Sequence, residues 1–170
     1  MAKALSVAVI GLGSMGYGIA QSCLRAGHQT FGYDVAEAPM VRFRAEGGAE
    51  GELSVVAGTV DALVVVVLNA AQTEDVLFGV AGVARLMRRG TAVMACATVP
   101  PEFARRMEAQ CAELGLHYLD APISGGSIKA AAGQLSVMAA GTADAFAGLS
   151  QVLEATAETI FSLGDAAGPG

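Results

Sequence analysis

The stretch Leu5-Ser-Val-Ala-Val-Ile10, followed directly by Gly11-Leu-Gly-Ser-Met-Gly16, decides the fold. The first six residues are mostly apolar and rich in Val and Ile, which is typical of a strand buried on both faces of a parallel sheet. Residues 14–26 carry apolar side chains at helical spacing, and Gly27 stands where a left-handed helix cap is expected. A strand over 30–33 follows, so the first part of the chain predicts a βαβ unit.

The same alternation continues to the end of the chain. Residues 62–68 predict a central strand, because their four consecutive valines are stiff at χ1 and disfavoured in helices. Residues 50–58 favour no element, and 121–127 predict a loop. The other predicted strands are 91–96, 117–120, 135–139 and 159–163, and the other predicted helices are 39–46, 72–77, 80–87, 101–114, 128–132 and 143–157. This order predicts an α/β fold with a doubly wound, mostly parallel sheet of the Rossmann type.

The glycine-rich turn after the first strand predicts a dinucleotide site. Its G-x-G-x-x-G pattern is informative here because it stands directly between a strand and a helix, where backbone N–H groups and the helix dipole face an anion. The predicted cofactor-binding residues of this turn are Gly11, Leu12, Gly13, Ser14, Met15 and Gly16.

Asp34 indicates which of the two dinucleotides, NAD or NADP, the turn is expected to bind. It stands 18 residues after Gly16, close to the spacing of about 20 at which an acidic side chain accepts hydrogen bonds from the adenosine ribose. A carboxylate there repels a 2′-phosphate, so NAD is favoured over NADP. The alternative is that Asp34 merely begins the next loop.

Other cofactor contacts are expected at the carboxyl ends of the neighbouring strands, where ligands of such sheets bind. Leu68 and Asn69 follow the valine-rich strand, and Ala97 and Thr98 follow the next one. Asn69 and Thr98 have an alternative role as caps of the helices that begin just after them.

Composition and charge exclude several classes of function. The chain has 170 residues, 54% of them hydrophobic, and a formal net charge of −6, so no basic face is expected to bind nucleic acid. The longest strongly apolar run, 62–71, is about half of the roughly 20 residues that span a bilayer. Without an evident secretory signal, a cytoplasmic protein is expected. Cys23, Cys96 and Cys111 are odd in number and widely spaced, which favours reduced, buried thiols over disulfides or a metal site.

A second glycine-rich segment follows the predicted strand 117–120. It reads Asp120-Ala-Pro-Ile-Ser-Gly-Gly126 and precedes a short predicted helix, so its backbone N–H groups can face a second anion such as a carboxylate. The residues alone therefore predict a nucleotide cofactor and a small acidic ligand.

Together, these segments resemble the β-hydroxyacid dehydrogenase family, which includes 3-hydroxyisobutyrate dehydrogenase and tartronate semialdehyde reductase. The resemblance rests on Gly11–Gly16, Ala26-Gly-His28 with Asp34, Asp120–Gly126 and Ala131-Ala-Gly-Gln-Leu-Ser-Val-Met138. Within the family, the segments most like the L-threonate dehydrogenases are 20–28, 68–72, 76–79 and 90–94.

The resemblance implies NAD-dependent oxidation of a small hydroxy acid, with Ser124, Gly125 and Gly126 holding the substrate carboxylate. L-threonate, converted to 2-oxo-tetronate, is the favoured substrate; 3-hydroxyisobutyrate and tartronate semialdehyde are the alternatives. The sequence departs from the family at Leu68-Asn69, where Leu-Pro is frequent, and at Ala97-Thr98, where Ser-Thr is frequent. Neither departure excludes cofactor binding.

The resemblance also implies that the catalytic base lies outside this chain. The family uses a lysine on a helix that would begin a few residues past Gly170, in an all-helical domain that also builds a homo-oligomer. We therefore expect an NAD-binding domain over 1–164 and the start of a linker over 165–170. Neither segment is expected to contain a catalytic residue. Lys3, Lys129, His28 and His117 are not favoured as substitutes. The alternative is a dinucleotide-binding module that catalyses nothing by itself.

Overall fold

Strands and helices alternate along residues 3–170, the part of the chain that the computed structural model describes. The strands are β1 (Ser6–Ile10), β2 (Gln29–Tyr33), β3 (Ala62–Val65), β4 (Ala92–Ala95), β5 (His117–Asp120), β6 (Ile123–Ser124), β7 (Leu135–Gly141) and β8 (Ala157–Gly164). The helices are α1 (Gly16–Arg25), α2 (Glu37–Ala45), α3 (Leu53–Val56), α4 (Ala70–Phe78), α5 (Pro101–Glu113), α6 (Gly126–Ala132) and α7 (Ala143–Thr156), with a 3-10 turn at Ala84–Leu86.

All eight strands form one sheet. Its order is β2-β1-β3-β4-β5-β7-β6, and β8 pairs with β7. The first five strands are parallel; β7 runs antiparallel to β5 and β6, and parallel to β8. The predicted α/β, doubly wound and mostly parallel sheet is confirmed.

Helices cover both faces of the parallel strands, and each face has its own apolar core. Val7 and Val9 of β1 belong to a buried cluster that includes Ile19 of α1 and Leu149 of α7. The alternate residues of β1, Ala8 and Ile10, belong to the cluster on the opposite face, to which α5 contributes. Because every residue of the central strands is buried on one face or the other, these strands are continuously apolar in sequence.

The central strand is shorter than predicted. β3 ends at Val65, whereas the valine-rich pattern predicts a strand to residue 68. The neighbouring β1 turns away at Gly11, whose N–H donates to the Tyr33 carbonyl, and β4 ends at Ala95. Val66 keeps one 2.8 Å hydrogen bond, from its N–H to the Ile10 carbonyl, and the residues after it lie beyond the ends of both neighbouring strands, at the carboxyl edge of the sheet.

Three further segments differ from the sequence prediction. The predicted helix 80–87 is reduced to a 3-10 turn. The chain turns just before it, where the Gly82 N–H donates a 2.9 Å hydrogen bond to the Gly79 carbonyl, and this turn ends the helical path of α4. The predicted loop 121–127 contains β6, which pairs with Ser136 and Val137 of β7. The undetermined stretch 50–58 contains the short helix α3.

The three cysteines are buried and free, as predicted. Burial raises the pKa of each thiol to about 12, so none is thiolate near neutral pH. Among the helices of residues 3–170, none has the length and apolar character needed to cross a membrane.

Candidate functional site: a cofactor groove and an adjoining glycine-rich loop

The turn between β1 and α1 is held by glycines that admit no side chain. Gly11 has a φ of +102°, and a Cβ there would lie 2.0 Å from the Val66 carbonyl oxygen. A Cβ at Gly16 would lie 1.8 Å from the carbonyl oxygen of Gly11. The first and third glycines of the motif therefore let the chain turn tightly and let α1 start against the strand.

Gly13 is different because it faces open space. A Cβ built there would meet no atom within 4 Å, and the residue is exposed. Within residues 3–170, no hydrogen bond takes up the N–H groups of Gly13, Ser14 or Met15, and Met15 caps α1 without a side-chain hydrogen bond. An exposed backbone with free donors at the positive end of a helix fits a pyrophosphate.

Asp34 lies beside this turn, one residue after β2. One of its carboxylate oxygens accepts a 2.7 Å hydrogen bond from the Leu12 N–H, and the other accepts one of 2.9 Å from the Ala36 N–H. The carboxylate thus braces the glycine turn and remains partly exposed. Its role as an acceptor for the ribose hydroxyls stays a prediction.

A groove of about 280 Å³ opens at the carboxyl edge of the sheet next to Gly13. Thr98 lies in this groove with an exposed side chain and makes no hydrogen bond to residues 3–170. It therefore does not cap α5, the alternative role predicted for it; Pro100 occupies that cap position. The residues that line the groove are Gly13, Ser14, Met15, Gly16, Val66, Val67, Leu68, Cys96, Ala97, Thr98 and Ile123.

Asn69 serves as a helix cap. Its side-chain oxygen accepts a 2.9 Å hydrogen bond from the Gln72 N–H, and the Gln72 side chain in turn accepts one of 2.8 Å from the Leu68 N–H. These bonds fix the start of α4 and the path of Leu68, which is 86% exposed toward the groove. A direct contact of Asn69 with the cofactor stays a prediction.

The second glycine-rich loop adjoins the groove through Ile123. Ser124 ends β6 with an exposed side chain, and Gly125 and Gly126 follow with φ values of +139° and +79°. Within the described residues, neither the Ser124 hydroxyl nor the N–H groups of the two glycines have a hydrogen-bond partner. The loop therefore presents free donors in a conformation that L side chains rarely adopt, which fits a carboxylate.

The basic side chains that are not favoured as substitutes for the base do not line the groove. Lys129 is exposed on α6, and its stem lies 3.1 Å from where a Cβ of Gly125 would be. His28 is buried, and its Nδ1 accepts a hydrogen bond from the Leu5 N–H at 3.0 Å. His117 begins β5, at the end of the strand opposite to the groove.

Sequence reasoning missed four of the lining residues: Val66, Val67, Cys96 and Ile123. Val66, Val67 and Cys96 directly follow strands β3 and β4, so the same strand-end rule identifies them once the strand ends are known. Ile123 has no such signal, because β6 forms only through its pairing with β7.

Comparison with known families agrees with this geometry. Residues 6–164 match the family model of the NAD-binding domain of 6-phosphogluconate dehydrogenase. The chain belongs to this family of NAD-binding domains. The family model confirms the predicted cofactor, NAD, and the relatives described next confirm the predicted resemblance to the 3-hydroxyisobutyrate dehydrogenases.

Three relatives show how this NAD-binding domain compares with longer proteins. It is 44% identical over 167 residues to L-threonate dehydrogenase of Haemophilus influenzae, matching 97% of the chain and 56% of that protein. It is 36% identical over 162 residues to 3-hydroxyisobutyrate dehydrogenase of Pseudomonas aeruginosa, matching 94% of the chain and 54% of that protein. A crystal structure of 3-hydroxyisobutyrate dehydrogenase from Salmonella typhimurium superposes with a TM-score of 0.93 at 46% identity, over 97% of the chain and 58% of the Salmonella chain. The chain thus spans a little over half the length of the relatives it matches.

Proposed function

We propose that this NAD-binding domain is the cofactor-binding part of a dehydrogenase that oxidises a small hydroxy acid, with L-threonate converted to 2-oxo-tetronate. The observation that carries the proposal is that one open donor loop lines the groove and a second one adjoins it through Ile123. Gly13 to Met15 present free N–H groups on one side, and Ser124 to Gly126 present them beyond Ile123. A dinucleotide and a small acid can therefore be held at the same groove.

The cofactor residues divide the dinucleotide between them. The N–H groups of Gly13 and Ser14 bind the pyrophosphate, and Asp34 accepts from the adenosine ribose. Leu68 and Thr98 lie on the nicotinamide side of the groove, where Cys96 adds a neutral wall. Bound NAD supplies the acceptor for the hydride that leaves the substrate carbon.

The loop at Ser124 orients the substrate. Fixing its carboxylate on the Ser124 hydroxyl and on the Gly125 and Gly126 N–H groups leaves the rest of the acid directed toward the groove. Holding two reactants in place in this way supplies about 7–11 kcal/mol of a barrier in favourable cases. The chain's own contribution to the reaction is therefore binding and orientation.

The proton of the substrate hydroxyl needs a base, which we place in a segment that follows residue 170. Residues 165–170 then begin the linker to that segment, and residues 1–164 form the NAD-binding domain. The resemblance to the family implies that this base is a lysine. We further propose that the longer enzyme is a homo-oligomer in the cytoplasm.

Sequence identity supports L-threonate without deciding it. The L-threonate dehydrogenase of Haemophilus influenzae is 44% identical, against 36% for the 3-hydroxyisobutyrate dehydrogenase of Pseudomonas aeruginosa. The Salmonella structure, at 46% identity, is of a 3-hydroxyisobutyrate dehydrogenase, so 3-hydroxyisobutyrate is the alternative substrate. Tartronate semialdehyde is the third candidate.

A fusion tests the proposal. The 170-residue chain is joined at Gly170 to the part of the Haemophilus influenzae enzyme that follows its matched region, and NADH formation is followed with L-threonate, 3-hydroxyisobutyrate and glycerate. A parallel assay follows NADH consumption with tartronate semialdehyde. We expect turnover by the fusion, fastest with L-threonate, and none by the chain alone. Turnover by the chain alone refutes an external base, and an inactive but folded fusion that binds NAD favours the binding-module alternative.

Asp34 provides the test of cofactor choice. Asp34→Ala removes the carboxylate that repels a 2′-phosphate, so the ratio of NAD to NADP affinity falls by about tenfold, equivalent to about 1.4 kcal/mol. Calorimetric titration of the chain with both cofactors measures this ratio. Because the substitution also removes the brace on Leu12, only the ratio is diagnostic; an unchanged ratio excludes Asp34 as the discriminating group.

A further inference from the structure

The last residues of the chain return to the carboxyl edge of the sheet, where two carboxylates hold their backbone. The Ala167 N–H donates to the Glu108 carboxylate of α5 at 2.9 Å. The N–H groups of Gly168 and Gly170 both donate to a single oxygen of Asp120, at 3.1 and 3.0 Å. Three hydrogen bonds therefore fix a segment that has no helix or strand of its own.

Burial makes the Asp120 contact specific. Asp120 is 1% exposed, and a buried carboxylate is costly unless hydrogen bonds satisfy it. Within residues 3–170, the N–H groups of Gly168 and Gly170 are its hydrogen-bond donors. Ala167 is buried beside them in the apolar cluster that includes Tyr118 and Met107. The tail is thus part of the packed structure and lies over the end of β5.

The sequence of the tail suits this contact. Gly168 has a φ of +130°, which L side chains rarely adopt. A Cβ at Gly170 would lie 2.7 Å from the carboxylate carbon of Asp120, so a side chain there would displace the anchor. Glycine at both positions lets the backbone approach the carboxylate closely.

Asp120 also begins the segment that leads to the loop at Ser124. It is the last residue of β5, four residues before Ser124, and its neighbour Ala121 is hydrogen-bonded to the Ala95 carbonyl at 2.9 Å. One rigid strand end therefore connects the predicted substrate loop with the point where the chain leaves the sheet.

We propose that Asp120 is a positioning residue that fixes residues 167–170 relative to the loop Ser124–Gly126. Its consequence for catalysis rests on the proposed function: a base carried after residue 170 would be placed against the substrate through this anchor. The bonds of Asp120 to this segment reach 48 and 50 residues along the chain, so they do not belong to a local turn.

Amide hydrogen exchange of the 170-residue chain, followed by NMR, tests the anchor. In Asp120→Ala, exchange at Gly168 and Gly170 accelerates by at least about tenfold, because their acceptor is lost. In Asp120→Asn, the amide oxygen can still accept both bonds, so exchange lies between that of the alanine variant and the original chain. Asp165→Asn is the matched control: it removes a negative charge from the same tail, and Asp165 is exposed and makes no hydrogen bond to residues 3–170.

A distance measurement separates positioning from stability. Spin labels are placed on Ser127→Cys and on a cysteine added after Gly170; the native cysteines, at most 6% exposed, stay unlabelled. We expect one narrow distance distribution in the original chain and in Asp165→Asn, and a broad one in Asp120→Ala. If the alanine variant does not fold, the asparagine variant decides, with faster exchange and a broader distribution than the control.

Original exchange rates and a narrow distribution in both Asp120 variants would overturn the proposal. None of these measurements requires turnover. A folded fusion that binds NAD but is inactive would therefore count against the proposed function, while the exchange and distance data would still decide the role of Asp120.

Discussion

The two glycine-rich loops of this protein follow strands in the same sheet, yet their glycines have different functions. In the loop at residues 11–16, Gly11 and Gly16 are required because a Cβ would collide with backbone at 2.0 and 1.8 Å. In the loop at 124–126, Gly126 has open space around the position of a Cβ and is distinguished by its φ of +79°. The first loop is determined by packing and the second by backbone conformation.

This difference separates stability from binding. Gly11 and Gly16, where a side chain would collide with backbone, contribute to the fold. Gly13 lies between them and keeps its backbone open toward a ligand. The second loop is exposed and leads into a helix of seven residues, so its shape depends on two glycine conformations and on the pairing of Ile123 and Ser124 with β7. Substitutions at matched positions can therefore break the two loops in different ways.

Gly16→Ala has the largest expected effect. The new Cβ would lie 1.8 Å from the Gly11 carbonyl oxygen, and backbone cannot move aside as a flexible side chain can. We expect a loss of roughly 3 kcal/mol or more in the free energy of unfolding. Urea denaturation measures it, with Gly13→Ala as the control that adds the same methyl group without a clash. Equal stability of the two variants would show that the turn is not held by close packing.

Gly126→Ala has an intermediate effect on the second loop. The methyl group has space, so the cost is that of an alanine in a left-handed conformation, about 1–2 kcal/mol. The NAD affinity of the chain should stay within about twofold of the original value, because the substitution leaves the loop at residues 11–16 unchanged. A large loss of NAD affinity would mean that the loops form one site rather than two.

Gly125→Val disturbs the same loop more strongly. Its Cβ would lie 3.1 Å from both Leu135 and Lys129 at a φ of +139°. In the fusion described above, we expect it to abolish binding of the hydroxy acid and to leave NAD binding intact. Equal loss of both ligands, measured by calorimetry, would indicate misfolding and not a carboxylate site.

The smallest expected effect is the pH dependence of stability that Asp120, the residue holding the tail beside the second loop, contributes. Burial raises the pKa of Asp120, and the N–H groups of Gly168 and Gly170 only partly offset this. Because the folded pKa is raised, the folded chain binds the proton more tightly than the unfolded chain. Asp120 therefore contributes more stability below its unfolded pKa than above its folded pKa. The stability of the original chain relative to Asp120→Asn should fall as pH rises through the folded pKa; a rise would contradict the sign.

The predictability of each region follows from the sequence distance of its contacts. The glycine turn could be predicted from its local G-x-G-x-x-G pattern, and Asp34 from its spacing, because its bond to the Leu12 N–H lies within one βαβ unit. The cap formed by Asn69 and Gln72 could be predicted as an alternative because its bonds span three or four residues. The end of β3 at Val65 could not, since it is determined by where β1 and β4 stop. The pairing of β6 and the anchor on Asp120 join distant segments and have no local pattern.

The most direct test of the central claim, that the open backbone at Gly13 is the cofactor site, is calorimetric titration of NAD into Gly13→Ala. The new methyl group meets no protein atom within 4 Å and projects into the space assigned to the pyrophosphate. We predict unchanged thermal stability and at least about a tenfold loss of NAD affinity, equivalent to about 1.4 kcal/mol. NAD affinity equal to that of the original chain, in a variant that folds normally, would contradict the claim.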